Sequence, residues 1–186
     1  MQTYTGPISR LIEEFSKLPG VGRKTAQRLA FHVINMNIND VEALSKAIVD
    51  AKKEIRYCSV CYNITDKAVC SMCSNKNRDD SIICVVEDPR DVAAMEKTKE
   101  FNGKYHVLNG VISPMDGINP DDINLNSLVE RVQNDDVKEV IVVLKPSIEG
   151  ETTMQYIKKI LAKYDVKVSK IPIGIPMGAD IEYIDT

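Results

Sequence analysis

The residues best placed to do chemistry are four cysteines, Cys58-Ser-Val-Cys61 and, eight residues further on, Cys70-Ser-Met-Cys73. Thiolates are soft ligands, and a two-residue spacer turns the backbone so that both sulfurs of a pair face one point. Two such pairs complete a tetrahedral shell for one zinc ion per chain. With sulfur in all four positions no place is left for an activated water, so the spacing predicts a structural metal. The stretch between the pairs, Tyr62 to Val69, is too short and too polar to bury a core. Ligation must replace burial there, and structural zinc supplies about 10–16 kcal/mol. Two stapling disulfides would need an oxidising compartment. The opening Met1-Gln-Thr-Tyr-Thr-Gly-Pro7 has no basic stretch leading into an apolar one, so the expected compartment is the cytoplasm. A redox dithiol would occur singly beside a strand-helix unit. The fifth cysteine, Cys84, lies inside an apolar run and reads as a small buried hydrophobe.

Carboxylates form the second chemical group. They gather in Glu87-Asp88-Pro89-Arg90-Asp91 and in Lys145-Pro146-Ser147-Ile148-Glu149-Gly150-Glu151. Each stretch follows an unbroken apolar run, Ile82 to Val86 and Val140 to Leu144, which predicts strands of a parallel sheet covered by helices on both faces. In such sheets the working residues stand at the carboxyl ends of the strands. Glu149 and Glu151 would equally stabilise the N-terminus of the next helix. No tyrosine with a surrounding motif offers itself as a strand-cleaving nucleophile: Tyr156, Tyr164 and Tyr183 sit in helix or near the end of the chain.

The elements that must carry these groups follow from periodicity. Ile8, Leu11, Ile12 and Phe15 mark one face of a helix over 8–17, and Ala26, Leu29, Ala30 and Val33 one over 24–34. Between them Leu18-Pro19-Gly20-Val21-Gly22 stops the first helix and allows a tight turn through two glycines with positive dihedral angles. This stretch resembles the helix-hairpin-helix module of DNA-repair proteins. Glycines without side chains let the backbone approach a phosphate, and the free N–H groups that open the second helix point at it. Gly20, Gly22, Arg23, Lys24 and Arg28 are the expected DNA contacts, independent of base sequence and sensitive to salt. An ordinary helix turn with a solvated basic face explains the charges but not both glycines beside Pro19. His32, in the run Leu29 to Val33, is expected to pack or to be hydrogen-bonded.

A third helix over 39–56 has Val41, Leu44, Ile48, Ala51 and Ile55 on its apolar side and Asn39 or Asp40 as its cap, and should pack on the hairpin. Past the finger, strand and helix patterns alternate: 81–87, 91–97, 105–108, 123–133, 137–144, 151–164 and 166–171. The connection from Asn109 to Asp122 reads as an ordered loop or lid. The fold class is therefore α/β within a multidomain α+β chain, divided as 1–56, 57–79, 80–173 and 174–186. The chain has 186 residues, 44% hydrophobic, with no run long enough to span a bilayer. Its net charge of -3 is uneven: residues 1–56 hold nine Lys and Arg against six Asp and Glu, the remainder 15 against 21. The two ends should meet different partners.

The strand-end acids resemble those of the Toprim domain of topoisomerases and primases, where a Glu and an Asp-x-Asp pair hold magnesium. Here Lys145 and Ser147 take the places of the two aspartates. Magnesium prefers carboxylate and water oxygens, and an ammonium repels it. That substitution argues against a magnesium-dependent nuclease or primase, the alternative enzyme reading. The whole chain resembles the RecR family of bacterial recombination mediators, carried by Leu18-Pro-Gly-Val-Gly-Arg-Lys-Thr-Ala-Gln-Arg-Leu-Ala-Phe-His32, Ile83-Cys-Val-Val-Glu-Asp-Pro-Arg-Asp-Val92, Tyr105-His-Val-Leu108, Gly110-Val-Ile-Ser-Pro-Met-Asp-Gly117 and Glu149-Gly-Glu151. The resemblance implies a non-enzymatic protein, at the nucleoid, that works with RecO or RecF to load RecA onto single-stranded DNA coated by its binding protein. It also implies a dimer or ring-shaped tetramer. Glu87, Asp91, Glu149 and Glu151 are then a docking patch for partners. The chain departs from the family at Lys145 and Ser147, where Asn-Pro-Thr is common, and at Asn109 and Asn119, which stand for glycines. Family members usually continue past the position of Thr186 into a short helix.

Overall fold

The structure, a computed structural model, describes residues 4–172 and Gly174; all but the first residue of the expected C-terminal segment 174–186, Tyr183 included, lies outside the described residues. The chain divides into two compact units, Met1–Glu54 and Ile55–Thr186.

In the first unit, helix α1 (Gly6–Ser16) carries a proline in its first turn, where the missing N–H costs no intrahelical bond. Ile12 of α1 is buried against Ala26 and Ala30 of α2 (Arg23–Asn35), with Ile8, Leu11, Phe15 and Val21 packed around them. Two alanines four residues apart make a shallow groove on one helix face into which α1 settles. His32 is exposed, contrary to expectation. It lies about half a turn from the buried Ala30 at 3.6 residues per turn, so it cannot share that seam. Helix α3 (Ile38–Glu54) starts earlier than expected, because Asn37 and not Asn39 or Asp40 caps it: Asn37 Oδ1 accepts from the Asn39 N–H at 3.0 Å. The expected packing of α3 on the hairpin is also corrected. No α3 residue is buried, and Leu44 and Ile48 are 43% and 63% exposed. Helical periodicity establishes an apolar side without saying what covers it.

The second unit opens with an antiparallel ribbon, β1 (Arg56–Tyr57) against β2 (Ile64–Thr65), and a single helical turn α4 (Ser71–Ser74). Then come β3 (Asp79–Val86), α5 (Pro89–Thr98), β4 (Gly103–Val107), α6 (Leu125–Asn134), β5 (Glu139–Val143), α7 (Ile148–Leu161) and β6 (Lys167–Lys170). The last four strands form one parallel sheet in the order β4-β3-β5-β6. Successive side chains of β3 serve opposite cores. Ile83 and Val85 pack with Leu125, Leu128, Ile157 and Leu161 of α6 and α7, while Cys84 and Val86 pack with Val92, Tyr105 and Val107. That is why the run lacks polar alternation. Burial pushes the Cys84 thiol up to about 12, which leaves it an inert filler.

From β3 the chain crosses through α5 to β4 at one end of the sheet, then through α6 to β5 on the other side of β3. The strand order reverses between β3 and β5, and at such a switch point a crevice opens beyond the carboxyl ends of the two strands. The 109–122 connection is ordered, with Ser113 and Ile118 exchanging backbone hydrogen bonds of 3.0 and 2.9 Å. Asn109 adopts φ 58, as a substitute for glycine must. Asn119 does not: it lies at φ -95 and caps the 3-10 turn Pro120–Asp122.

Candidate hairpin, zinc centre and strand-end site

The hairpin turn is built by Pro19 and Gly20. The Val21 N–H donates to the Leu18 carbonyl at 3.0 Å and Gly20 has φ 78, so Leu18 to Val21 form a turn with proline second and glycine third. The third position of that turn demands positive φ, which glycine adopts at no steric cost. Gly22 differs from expectation, with φ -74 as the N-cap of α2. Its value is space: among the described residues nothing lies within 4 Å of where a Cβ would stand. The first turn of α2 has no acidic residue, and no described side chain caps it. Its leading N–H groups are therefore open to an anion. Arg23, Lys24 and Arg28 are exposed, and Lys24, Gln27, Arg28 and Phe31 line a shallow depression.

In the second unit the ribbon and α4 bring Cys58, Cys61, Cys70 and Cys73 together, with their sulfurs all within 4.8 Å of one another and no disulfide between them. A zinc–sulfur bond of about 2.3 Å sets tetrahedral sulfurs about 3.8 Å apart, so the four fit the ion. The Cys70 N–H donates to Cys58 Sγ at 3.3 Å and the Cys73 N–H to Cys70 Sγ at 3.4 Å. Such donors favour thiolate over thiol. Hydrogen bonding to Cys70 and Cys73, and then burial, raises Cys61, while accepting from Cys61 and Cys73 lowers Cys70. The sulfurs share protons that a divalent cation would displace.

The switch-point crevice holds the strand-end residues. Glu87 follows β3 and Lys145 follows β5, and Lys145 Nζ lies 3.1 Å from the Glu87 carboxylate. Asp91 uses one oxygen locally: its Oδ2 accepts from the Asp88 N–H at 3.0 Å in the capping box of α5, while Arg90 pairs with Asp88 and holds that carboxyl below its usual range. Ser147 caps α7 by accepting from the Gly150 N–H at 3.1 Å, which puts Glu149 and Glu151 in the first turn. Gly150 is obligatory, since a Cβ there would collide with the Lys145 carbonyl oxygen. Glu151 accepts from Gln155 at 2.8 Å and from Lys170 at 3.3 Å, which hold it below its ordinary value. Glu149 makes no side-chain hydrogen bond or ion pair among the described residues. The structure thus joins Glu87 to Lys145 but does not gather the four acids into a metal-ligating group. Among the described residues only the cysteines form one.

Two buried polar residues of β4 were not anticipated. His106 donates from Nε2 to the Asn124 carbonyl at 2.7 Å and accepts at Nδ1 from Arg131 at 3.3 Å. Lys104 reaches back to the finger. Position 104 precedes the apolar run Tyr105 to Leu108, and nothing in its sequence context marks a buried cation.

A glycine hairpin opening a basic helix, a four-thiolate finger, and a parallel sheet with acids at its strand ends together define a class of DNA recombination and repair protein built on the Toprim sheet. Family models agree: the RecR helix-hairpin-helix matches residues 8–52, the RecR four-cysteine zinc finger domain 55–75 and the Toprim domain 81–172. The recombination protein RecR of Staphylococcus aureus (strain Newman) is 53% identical over 182 residues, which span 98% of this chain and 92% of that protein. The chain belongs to the RecR family, and its zinc is structural.

Proposed function

We propose that this protein is a non-enzymatic recombination mediator. It holds the DNA backbone through Gly20, Gly22, Arg23, Lys24 and Arg28. Through the corner formed by Glu87, Asp91, Glu149 and Glu151 it docks a basic surface of a partner of the RecO or RecF type, so that RecA is loaded onto single-stranded DNA in place of its coating protein. The division into 1–56, 57–79, 80–173 and 174–186 follows from the same reading, as do a cytoplasmic location and assembly into a dimer or ring-shaped tetramer. The uncovered apolar row of α3 supports assembly, because a face of that kind is ordinarily buried by a partner.

The observation that carries the reading against an enzyme is the ion pair at the switch point. A Toprim enzyme needs magnesium there, and in this chain the Lys145 ammonium already neutralises Glu87 at 3.1 Å. A second cation beside it would meet like-charge repulsion where it needs a ligand.

Two variants test the reading on the full chain. Replacing Arg23, Lys24 and Arg28 together should weaken binding equally on unrelated DNA sequences and reduce the salt dependence by about one unit of slope for each phosphate no longer neutralised. Unchanged affinity at every salt concentration would remove the hairpin from the DNA interface. Glu149→Lys should leave DNA binding intact and weaken partner binding, by about 2–5 kcal/mol if the pair is buried and much less at a rim. Both proteins are also incubated with DNA and magnesium. Cleavage by the parent that Glu149→Lys abolishes would reject the mediator in favour of a Toprim enzyme.

A further inference from the structure

Strand β4 is the end strand of its sheet, yet all five of its residues are buried. Arg78 and Arg131 cover part of it, donating to the carbonyls of Gly103 at 2.9 Å and Tyr105 at 2.7 Å, and the zinc finger covers another part. The Val107 N–H donates to the Cys61 carbonyl at 2.8 Å, tying the first cysteine pair to the strand. Lys104 ties down the second. Its ammonium donates to the carbonyls of Met72 at 3.1 Å, Cys73 at 3.0 Å and Asn75 at 2.8 Å. An ammonium has three hydrogens and no acceptor, so this carbonyl cage satisfies it completely. Lys104 is 5% exposed; its one carboxylate neighbour among the described residues, Asp80 at 3.2 Å, has a side chain 80% exposed to solvent. The cation is therefore held chiefly by backbone carbonyls of the turn that carries Cys73.

We propose that Lys104 is a positioning residue of the zinc centre, coupling metal occupancy to the order of the sheet edge. Its role is twofold. Four thiolates around one divalent cation leave an excess of negative charge, which a buried ammonium bonded to a ligand's own carbonyl offsets at short range. The cage also fixes the backbone of α4 and so the direction of the Cys70 and Cys73 sulfurs, the part that outer-shell partners commonly play at metal sites. The coupling runs both ways, as linkage requires. Zinc keeps the carbonyls in place around a cation that could not stay buried without them, and the cation keeps the second pair of thiolates aimed at zinc.

The test is a competition for zinc between the full-length protein and a chromophoric chelator. Lys104→Met, which keeps the length of the side chain and removes its charge and donors, should give up zinc at about 10–100-fold lower chelator concentration. Asp80→Asn, which leaves the cage intact, should match the parent. Cobalt in place of zinc supplies a second readout, because altered ligand directions shift its visible bands in Lys104→Met and not in Asp80→Asn. Parental zinc affinity and an unshifted cobalt spectrum in folded Lys104→Met would overturn the proposal. If that variant does not fold, hydrogen exchange on the parent decides. Chelation should strip protection from the β4 amides while those of β5 keep theirs. Equal protection of β4 with and without zinc would refute the coupling.

Discussion

A histidine whose pKa is lowered by burial is a sensitive reporter of how tightly β4 is held. His106 is wholly buried, and burial first, the Arg131 guanidinium second, lowers its pKa from 6.5 to about 3. The unfolded chain takes up this proton near pH 6.5 and the native chain does not, so the unfolded state binds more protons and stability rises with pH across that interval. The contribution is complete above pH 6.5 and is lost progressively as pH falls toward 3. In urea titrations at saturating zinc, unfolding free energy should fall between pH 6 and 5 with a slope that approaches about 1.4 kcal/mol per pH unit. His106→Gln should lose that part of the slope. A parent whose stability is flat over the same interval would mean that His106 protonates in place, and that its bonds to Asn124 and Arg131 do not hold it neutral.

At the level of elements, what was legible and what was not divides along a physical line. The strands and helices of the sheet could be read because uninterrupted apolar runs and 3.6-residue periods are local properties of the chain. The four ligands could be read because metal geometry dictates their spacing. Cap positions moved, Asn37 in place of Asn39 or Asp40, because several neighbouring polar residues can all cap and only the final turn chooses among them. The use of α3 was misjudged, since its apolar row looks inward only if something stands there. Lys104, His106 and the Glu87–Lys145 pair were out of reach for a related reason: each joins segments distant in the chain, and no local pattern records the meeting. The α3 row gives its own prediction. If it is an assembly face, Leu44→Lys combined with Ile48→Lys should reduce the particle mass in sedimentation while leaving zinc content unchanged. A doubly substituted protein of parental mass would show that assembly uses another surface.

For the molecule as a whole, charge is unevenly apportioned. The first 56 residues are basic and carry the uncapped helix start; the remainder is acidic and carries the strand-end corner. No helix among the described residues is long and apolar enough to cross a membrane. The finger also has a role that has nothing to do with recognition. An unpaired strand edge is a template on which another chain can add a strand, and aggregation begins in that way. Here the edge of β4 is shared between Arg78, Arg131 and the zinc finger, whose Cys61 carbonyl takes the Val107 N–H. If zinc orders the strand edge as proposed above, a chain made without it would leave the Val107 end of that edge open to its neighbours.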